Sequence, residues 1–135
     1  MSQFVTDTHP LIWHLTKNSR LSVDAQSIFT DADTGFHQIL LPGIVLIEMV
    51  YLTEKGVVPA PMLHQLLDLL GIPNGSYAVA PLDQSIARTM IEHVPWSMIP
   101  ELADRIITAT ALSLNLPLIT KDQRIQQSKL VSISW

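Results

Sequence analysis

Two short stretches each end an apolar, β-branched run at a carboxylate. "FVTD" closes on Asp7, and "LPLIT" is followed at once by Lys121 and Asp122. Two more acids stand in helical contexts. Glu48 sits in "GIVLIEMVYL" with four apolar residues on each side, and Asp104 sits in "PELADRIITATA". Taken singly, each has an ordinary explanation. Glu48 reads equally as a Glu on the exposed stripe of its helix or in a structural ion pair, or as a buried acid that needs a partner or a metal. Glu101, Asp104, Arg105 and Thr108 fall at helical spacing, as a polar face opposite Leu102, Ile106 and Ala109. There a Glu101–Arg105 pair would contribute a few tenths of a kcal/mol, and early acids would complement the helix dipole. For Asp104 alone that ordinary reading is the stronger.

The constellation says more than any member. Asp7, Glu48, Asp104 and Asp122 come from four separate elements. Two unit charges ~4 Å apart repel by about 1 kcal/mol in water and by roughly 4 kcal/mol at an intermediate effective dielectric. A cluster of carboxylates therefore either takes up protons or binds a cation. With only oxygen donors on offer, hard divalent ions such as Mg²⁺ or Mn²⁺ fit best. Such ions activate water and hold phosphoryl oxygens, so the cluster points to phosphodiester or phosphate-ester chemistry.

The elements that must position these acids alternate. Expected strands are "FVTD", "QILLP", "YAVAPL", "LPLIT" and "VSISW". Between them lie helices in "PLIWHLTK" (Thr8 as N-cap, Pro10 in the first turn), "SRLSVDAQSIFTDADTG" (Ser22 as cap, Gly35 at the end), "PGIVLIEMVYLTEKG", "APMLHQLLDLLGI", "DQSIARTMIEHV" (Asp83 as cap) and "PELADRIITATALSLN". A short turn or helix runs through "KDQRI". Alternation of this kind implies parallel pairing in a three-layer α/β/α sandwich, one domain over residues 1–135. Ligands in such folds sit outside the carboxyl ends of the strands at a topological switch point, where Asp7 and Asp122 would share a crevice.

Composition narrows the rest. The chain has no cysteine, which removes disulfides and thiolate metal sites. Its five histidines are scattered without HExxH spacing, and GxxxxGK[ST], GxGxxG and GxSxG are absent. No apolar run matches a membrane span and no signal-peptide pattern opens the chain, so the expected setting is cytoplasmic. A net charge of −4 argues against broad electrostatic binding of nucleic acid but not against a nucleic-acid enzyme with a metal in its site. With 47% hydrophobic and 15% charged residues, some apolar surface is expected to meet a partner. Trp13 and Trp96 read as core or interface rather than base-stacking platforms, and Trp135 as a sheet-edge cover or a solvent-facing end. Thr6 and Thr8 read as turn and cap residues; for Thr120 a role in holding a metal's water stands equally open.

"VTDTHPLIW", the Glu inside an apolar helix, "IPELADRIITATAL" and "LPLITKD", in this order, resemble PIN-domain proteins, and most of all the VapC-type toxins of bacterial toxin–antitoxin pairs. The similarity runs from about residue 4 to residue 125. It implies an α/β/α sandwich with a mostly parallel four- or five-stranded sheet. It also implies a Mg²⁺- or Mn²⁺-dependent ribonuclease that leaves 5′-phosphate and 3′-hydroxyl ends. By the same resemblance Asp7 and Asp104 are the main metal ligands and Glu48 and Asp122 complete the set. Glu101 stands for the family's additional acid, and Arg105 either meets RNA phosphate or pairs with a neighbouring acid. The implied partners are RNA, a second copy of the chain, and an antitoxin whose segment would lie in a groove formed by "PLIWHLTK" and "GIVLIEMVYLTEKG". Two rival readings remain. One is a catalytically silent RNA-binding or protein-interaction module of the same fold. The other is a different phosphate enzyme on an α/β sheet, such as a phosphatase or phosphorelay receiver, which would need paired acids after the first strand.

Overall fold

A computed structural model describes residues 2–135. Its elements run β1 (Ser2–Thr6), α1 (Thr8–Leu15), α2 (Val23–Asp33), β2 (His37–Pro42), α3 (Gly43–Glu54), α4 (Ala60–Leu70), β3 (Tyr77–Ala80), α5 (Gln84–His93), α6 (Leu102–Leu114), β4 (Leu118–Ile119), α7 (Gln123–Ser128) and β5 (Ile133–Ser134). The sheet has five strands in the order β3-β2-β1-β4-β5, and every pairing is parallel. The expected α/β/α sandwich is therefore present.

The strand order turns around at β1. The chain builds outward from β1 through β2 to β3, then returns to lay β4 on the other side of β1. The crevice between the carboxyl ends of β1 and β4 is the switch point, where neighbouring connections leave in opposite directions. Val5 pairs with Leu118 and Thr6 with Ile119, so Asp7 and Thr120 emerge side by side. The order also differs from the 2-1-3-4-5 arrangement of flavodoxin-like folds, and Asp7 has no acidic neighbour after β1. The receiver reading thereby loses its structural basis.

Local chemistry sets the helix limits. Ser22 accepts a hydrogen bond from the Ala25 N–H, and Asp83 accepts from the Ser85 and Ile86 N–H groups. Just beyond α2 and α3 the chain turns through Gly35 and Gly56 at φ +89° and +77°, a region that costs glycine nothing. The core joins Val5, Ile39, Leu41, Leu118 and Ile119 from the sheet to Leu11, Phe29, Met49, Leu66 and Ile107 from the helices.

The α6 helix departs from the expected two-faced pattern. Thr108, assigned to a polar face, is fully buried, whereas Leu102, assigned to the apolar one, is 64% exposed. The cause is that six consecutive residues, Ile106 to Ala111, are buried on all sides, while the first turn and the end of the helix at Ser113 and Leu114 emerge. This segment packs against α5, α3, β1 and β2. Its small side chains, Thr108, Ala109 and Ala111, allow that close approach.

Candidate functional site

The sheet ladder runs one residue past β1. The Asp7 N–H donates to the Ile119 carbonyl at 3.0 Å, and the Asp7 backbone is still extended (φ −74°, ψ 167°). Helix α1 then begins at Thr8. Asp7, not Thr8, is therefore the N-cap: Thr8 is already helical, because the strand passes into the helix without a loop. This places the Asp7 carboxylate at the positive end of α1 and at the mouth of the sheet.

Hydroxyls link the acids. Asp7 Oδ1 accepts from the Thr8 N–H at 2.7 Å, and Asp7 Oδ2 accepts from Thr120 Oγ1 at 2.7 Å. Thr120 Oγ1 in turn accepts from the Asp122 N–H at 3.0 Å. Thr8 Oγ1 donates to Glu48 Oε1 at 2.6 Å. One hydrogen-bonded chain thus runs from Glu48 through Thr8, Asp7 and Thr120 to Asp122. Thr120, left open by the sequence, has a definite partner, and Thr8 bridges two acids, a role its turn chemistry did not suggest. Thr6 keeps its local role and donates to the Asp7 carbonyl. Asp122 caps α7 by accepting from the Ile125 N–H at 2.9 Å.

Helix α6 supplies the opposing pair. Glu101 occupies the N-cap position of α6 but makes no side-chain cap bond, so its exposed carboxylate is uncommitted there. Asp104, three residues on, is half-buried. Asp7, Glu48, Glu101, Asp104 and Asp122 all line one cleft of about 370 Å³, a volume in the ordinary range for ligand sites. None of the ion pairs among the described residues includes any of these five acids. The ion-pair explanation of Glu48 is therefore not met. Neither is the Glu101–Arg105 pair: Arg105 Nε donates to the Val94 carbonyl at 3.0 Å, tying α6 to the end of α5, and Arg105 is not part of the cleft lining.

The electrostatics follow from this crowding. Burial raises the pKa of Asp7 above its ordinary value, against the lowering effect of the Thr120 and Thr8 hydrogen bonds. Asp104 is pushed up to about 7, first by desolvation, then by the charges of Asp122, Glu101 and Asp7, and by a hydrogen bond to Glu101 that favours its protonated form. Among the described residues no three His, Asp or Glu side chains already converge as a finished cation cage. The donor set nevertheless fits a hard divalent ion: it is all oxygen, acidic beyond what neighbouring cations offset, and drawn from four parts of the chain around one cleft. Each Asp7 carboxylate oxygen accepts one hydrogen bond and retains a lone pair that a cation could use.

The remaining candidates divide. Trp13 packs partly on the core, as expected, but also lines the cleft with His9 and Lys121. Trp135 is half-buried against Trp13 rather than solvent-facing, with ring centroids 6.0 Å apart. Trp96 is 70% exposed and so is no core residue. A second cleft of about 530 Å³ lies at the amino ends of the strands, between the end of α1 and the start of β3. Its one carboxylate, Asp33, is already engaged by Tyr77 Oη at 2.7 Å and His14 Nε2 at 2.8 Å, so it carries no comparable cluster.

Comparison with known proteins bears on the fold and the family. No curated protein matches the chain. Among solved structures, it is similar to VapBC2 from Rickettsia felis bound to a promoter DNA fragment, at 14% identity over 98% of this chain and 97% of that one, with a TM-score of 0.72. DNA-bound VapBC from Salmonella typhimurium gives 16% identity, 99% and 98% coverage, and a TM-score of 0.72. FitAcB from Neisseria gonorrhoeae gives 15% identity, 98% and 96% coverage, and a TM-score of 0.62. At such identities the likeness is one of fold. The family model for the PIN domain matches residues 4–129, nearly the whole length, and the chain belongs to that family.

Proposed function

We propose that this protein is a Mg²⁺- or Mn²⁺-dependent endoribonuclease, one PIN-like domain over residues 1–135, acting as the toxin of a toxin–antitoxin pair. The observation that carries the reading is that five carboxylates from four parts of the chain, two of them at the start of α6, line one cleft at the switch-point mouth of a PIN-family sheet. Asp7 and Asp104 would be the main ligands of the ion, with Glu48 and Asp122 completing the set. Once bound, the ion would offset charge building on the phosphate oxygens and lower the pKa of the attacking water. Thr8 and Thr120 hold Asp7 in place between Glu48 and Asp122. Glu101, exposed and free of cap duty, would orient a water and take its proton. Hydrolysis by water leaves 5′-phosphate and 3′-hydroxyl ends.

The solved structures of similar fold are described as VapBC complexes, which supports an antitoxin as partner. Exposed Ile47 and Tyr51 on α3 offer apolar surface for such a chain or for a second copy in a homodimer. Helix α1 contributes less than its sequence suggested, because Pro10, Leu11 and Ile12 face the interior. No helix among the described residues is long and apolar enough to cross a membrane.

The test is cleavage of total cellular RNA with Mg²⁺, with Mn²⁺ and with chelator, alongside Asp7→Asn. Discrete fragments that need the metal and vanish in a folded Asp7→Asn protein are expected. Full activity in that variant would remove Asp7 from the site. No cleavage by folded, antitoxin-free protein would favour the catalytically silent module.

A further inference from the structure

The acids occupy only part of the cleft wall. The rest includes His9, Trp13 and Lys121. His9 and Trp13 lie one helical turn apart on α1, with ring centroids 5.9 Å apart. Trp135 backs the indole from outside the cleft, edge to face, at 6.0 Å. Lys121 reaches across from the β4–α7 turn, its Nζ 5.8 Å from the Trp13 ring centroid. The indole is thus braced on one side and accessible from the cleft. Lys121 follows Thr120 directly, so the bond from Thr120 to Asp7 sets its backbone beside the acids.

Charge makes Lys121 notable. It is the only Lys or Arg among the described residues that line the cleft, and none of the salt bridges among them includes it. A bound divalent ion offsets the carboxylates beside the reacting phosphate. The next phosphate along a strand still meets a wall of acids and needs a cation of its own. Trp13 offers what a base needs: a flat π surface, rigidly held, with no hydrogen-bonding demand for a particular sequence.

We propose that Trp13 stacks a nucleobase of single-stranded RNA beside the scissile linkage while Lys121 holds the adjoining phosphate, with His9 extending the aromatic wall. The inference rests on the ribonuclease reading and deepens it, by naming the residues that position the strand on either side of the scissile linkage. A base in an A-form duplex is paired and stacked on its neighbours and cannot be laid on an indole. Trp13, Lys121 and His9 are positioning residues here.

The experiment measures binding, so that it stands apart from cleavage. Fluorescence anisotropy follows a short labelled single-stranded oligoribonucleotide, a set of the same oligonucleotide each lacking one base, and the matching duplex. The protein is the Asp7→Asn chain, alone and with Trp13→Leu, Trp13→Phe, Lys121→Gln or Lys121→Arg added. Trp13→Leu is expected to weaken single-strand binding about tenfold, and Trp13→Phe to restore most of it. Removing the base that stacks should cost the parent about as much, and should abolish the effect of Trp13→Leu. Lys121→Gln should flatten the dependence of log affinity on log salt by about 0.7, with Lys121→Arg restoring it. Duplex bound as tightly as single strand, or an equal Trp13→Leu loss on every abasic oligonucleotide, overturns the proposal. An unchanged salt slope in Lys121→Gln does the same. Should Trp13→Leu fail to fold, the abasic set against the parent decides: no position worth about tenfold overturns the wall. Binding as described from a chain that never cleaves would sink the ribonuclease reading alone. Cleavage by a chain whose binding ignores Trp13 and Lys121 would sink only the wall.

Discussion

Replacing Asp104 with Asn should stabilise the metal-free protein, and the gain should grow with pH. Asp104 has an ordinary pKa of 3.8 but is pushed up to about 7 in the folded chain. Between those values the folded state holds a proton that the unfolded state has released, so stability falls as pH rises through the window. Above about 7 the full penalty of an ionised Asp104 is present. At about 1.4 kcal/mol per pKa unit the difference reaches roughly 4 kcal/mol. Because the group is half exposed, solvent screening reduces that to about 1–2 kcal/mol. Asn keeps the shape and removes the charge. Urea unfolding of both proteins at pH 4.5, 6 and 7.5 with chelator reads the difference directly. The variant should match the parent at the lowest pH and exceed it by about 1–2 kcal/mol at the highest. Adding Mg²⁺ or Mn²⁺ should reverse the order, since only the parent recovers its repulsion as binding energy. A difference that stays flat with pH would refute the crowding argument, and metal stabilising both proteins equally would remove Asp104 from the ligand set.

Thr120→Val should remove the donor to Asp7 Oδ2 and the acceptor for the Asp122 N–H. The expected cost is about 1.5–3 kcal/mol at pH 7.5 by urea unfolding, with Mn²⁺ affinity falling about 10–100-fold by calorimetric titration. Arg105→Leu should leave the buried Val94 carbonyl without its donor and cost about 1–2 kcal/mol in the same unfolding assay. Its effect on RNA cleavage per folded molecule should be small, because Arg105 does not line the cleft. Asp7→Asn should leave the metal-free fold intact or slightly more stable, since burial raises the Asp7 pKa, while metal-dependent cleavage is lost; thermal melts beside the cleavage assay check both halves.

Much of this protein was legible in its sequence because the signals are local. Ser22 and Asp83 cap helices through side chains that reach their own backbone, and Gly35 and Gly56 end helices by a conformation set at one residue. Alternation of apolar strands with helices is enough to imply a parallel sheet, and a carboxylate at each strand exit places Asp7 and Asp122 at its carboxyl edge. Only tertiary structure decided the rest, since it depends on what lies beside a residue rather than before or after it. Helical periodicity put Leu102 inside and Thr108 outside; packing of α6 against α3, α5 and the sheet reversed both. Arg105 has an acid four residues away, yet the Val94 carbonyl takes its Nε. Thr8 and Thr120 have the chemistry of turn residues, and the register of β1 against β4 makes them the bridges that join Glu48, Asp7 and Asp122. The sequence determined which acids the chain carries and at which strand and helix ends they stand. Contacts across 40 and 113 residues, which no local pattern encodes, decided which of them share a hydroxyl and which face Trp13 and Lys121 across one cleft.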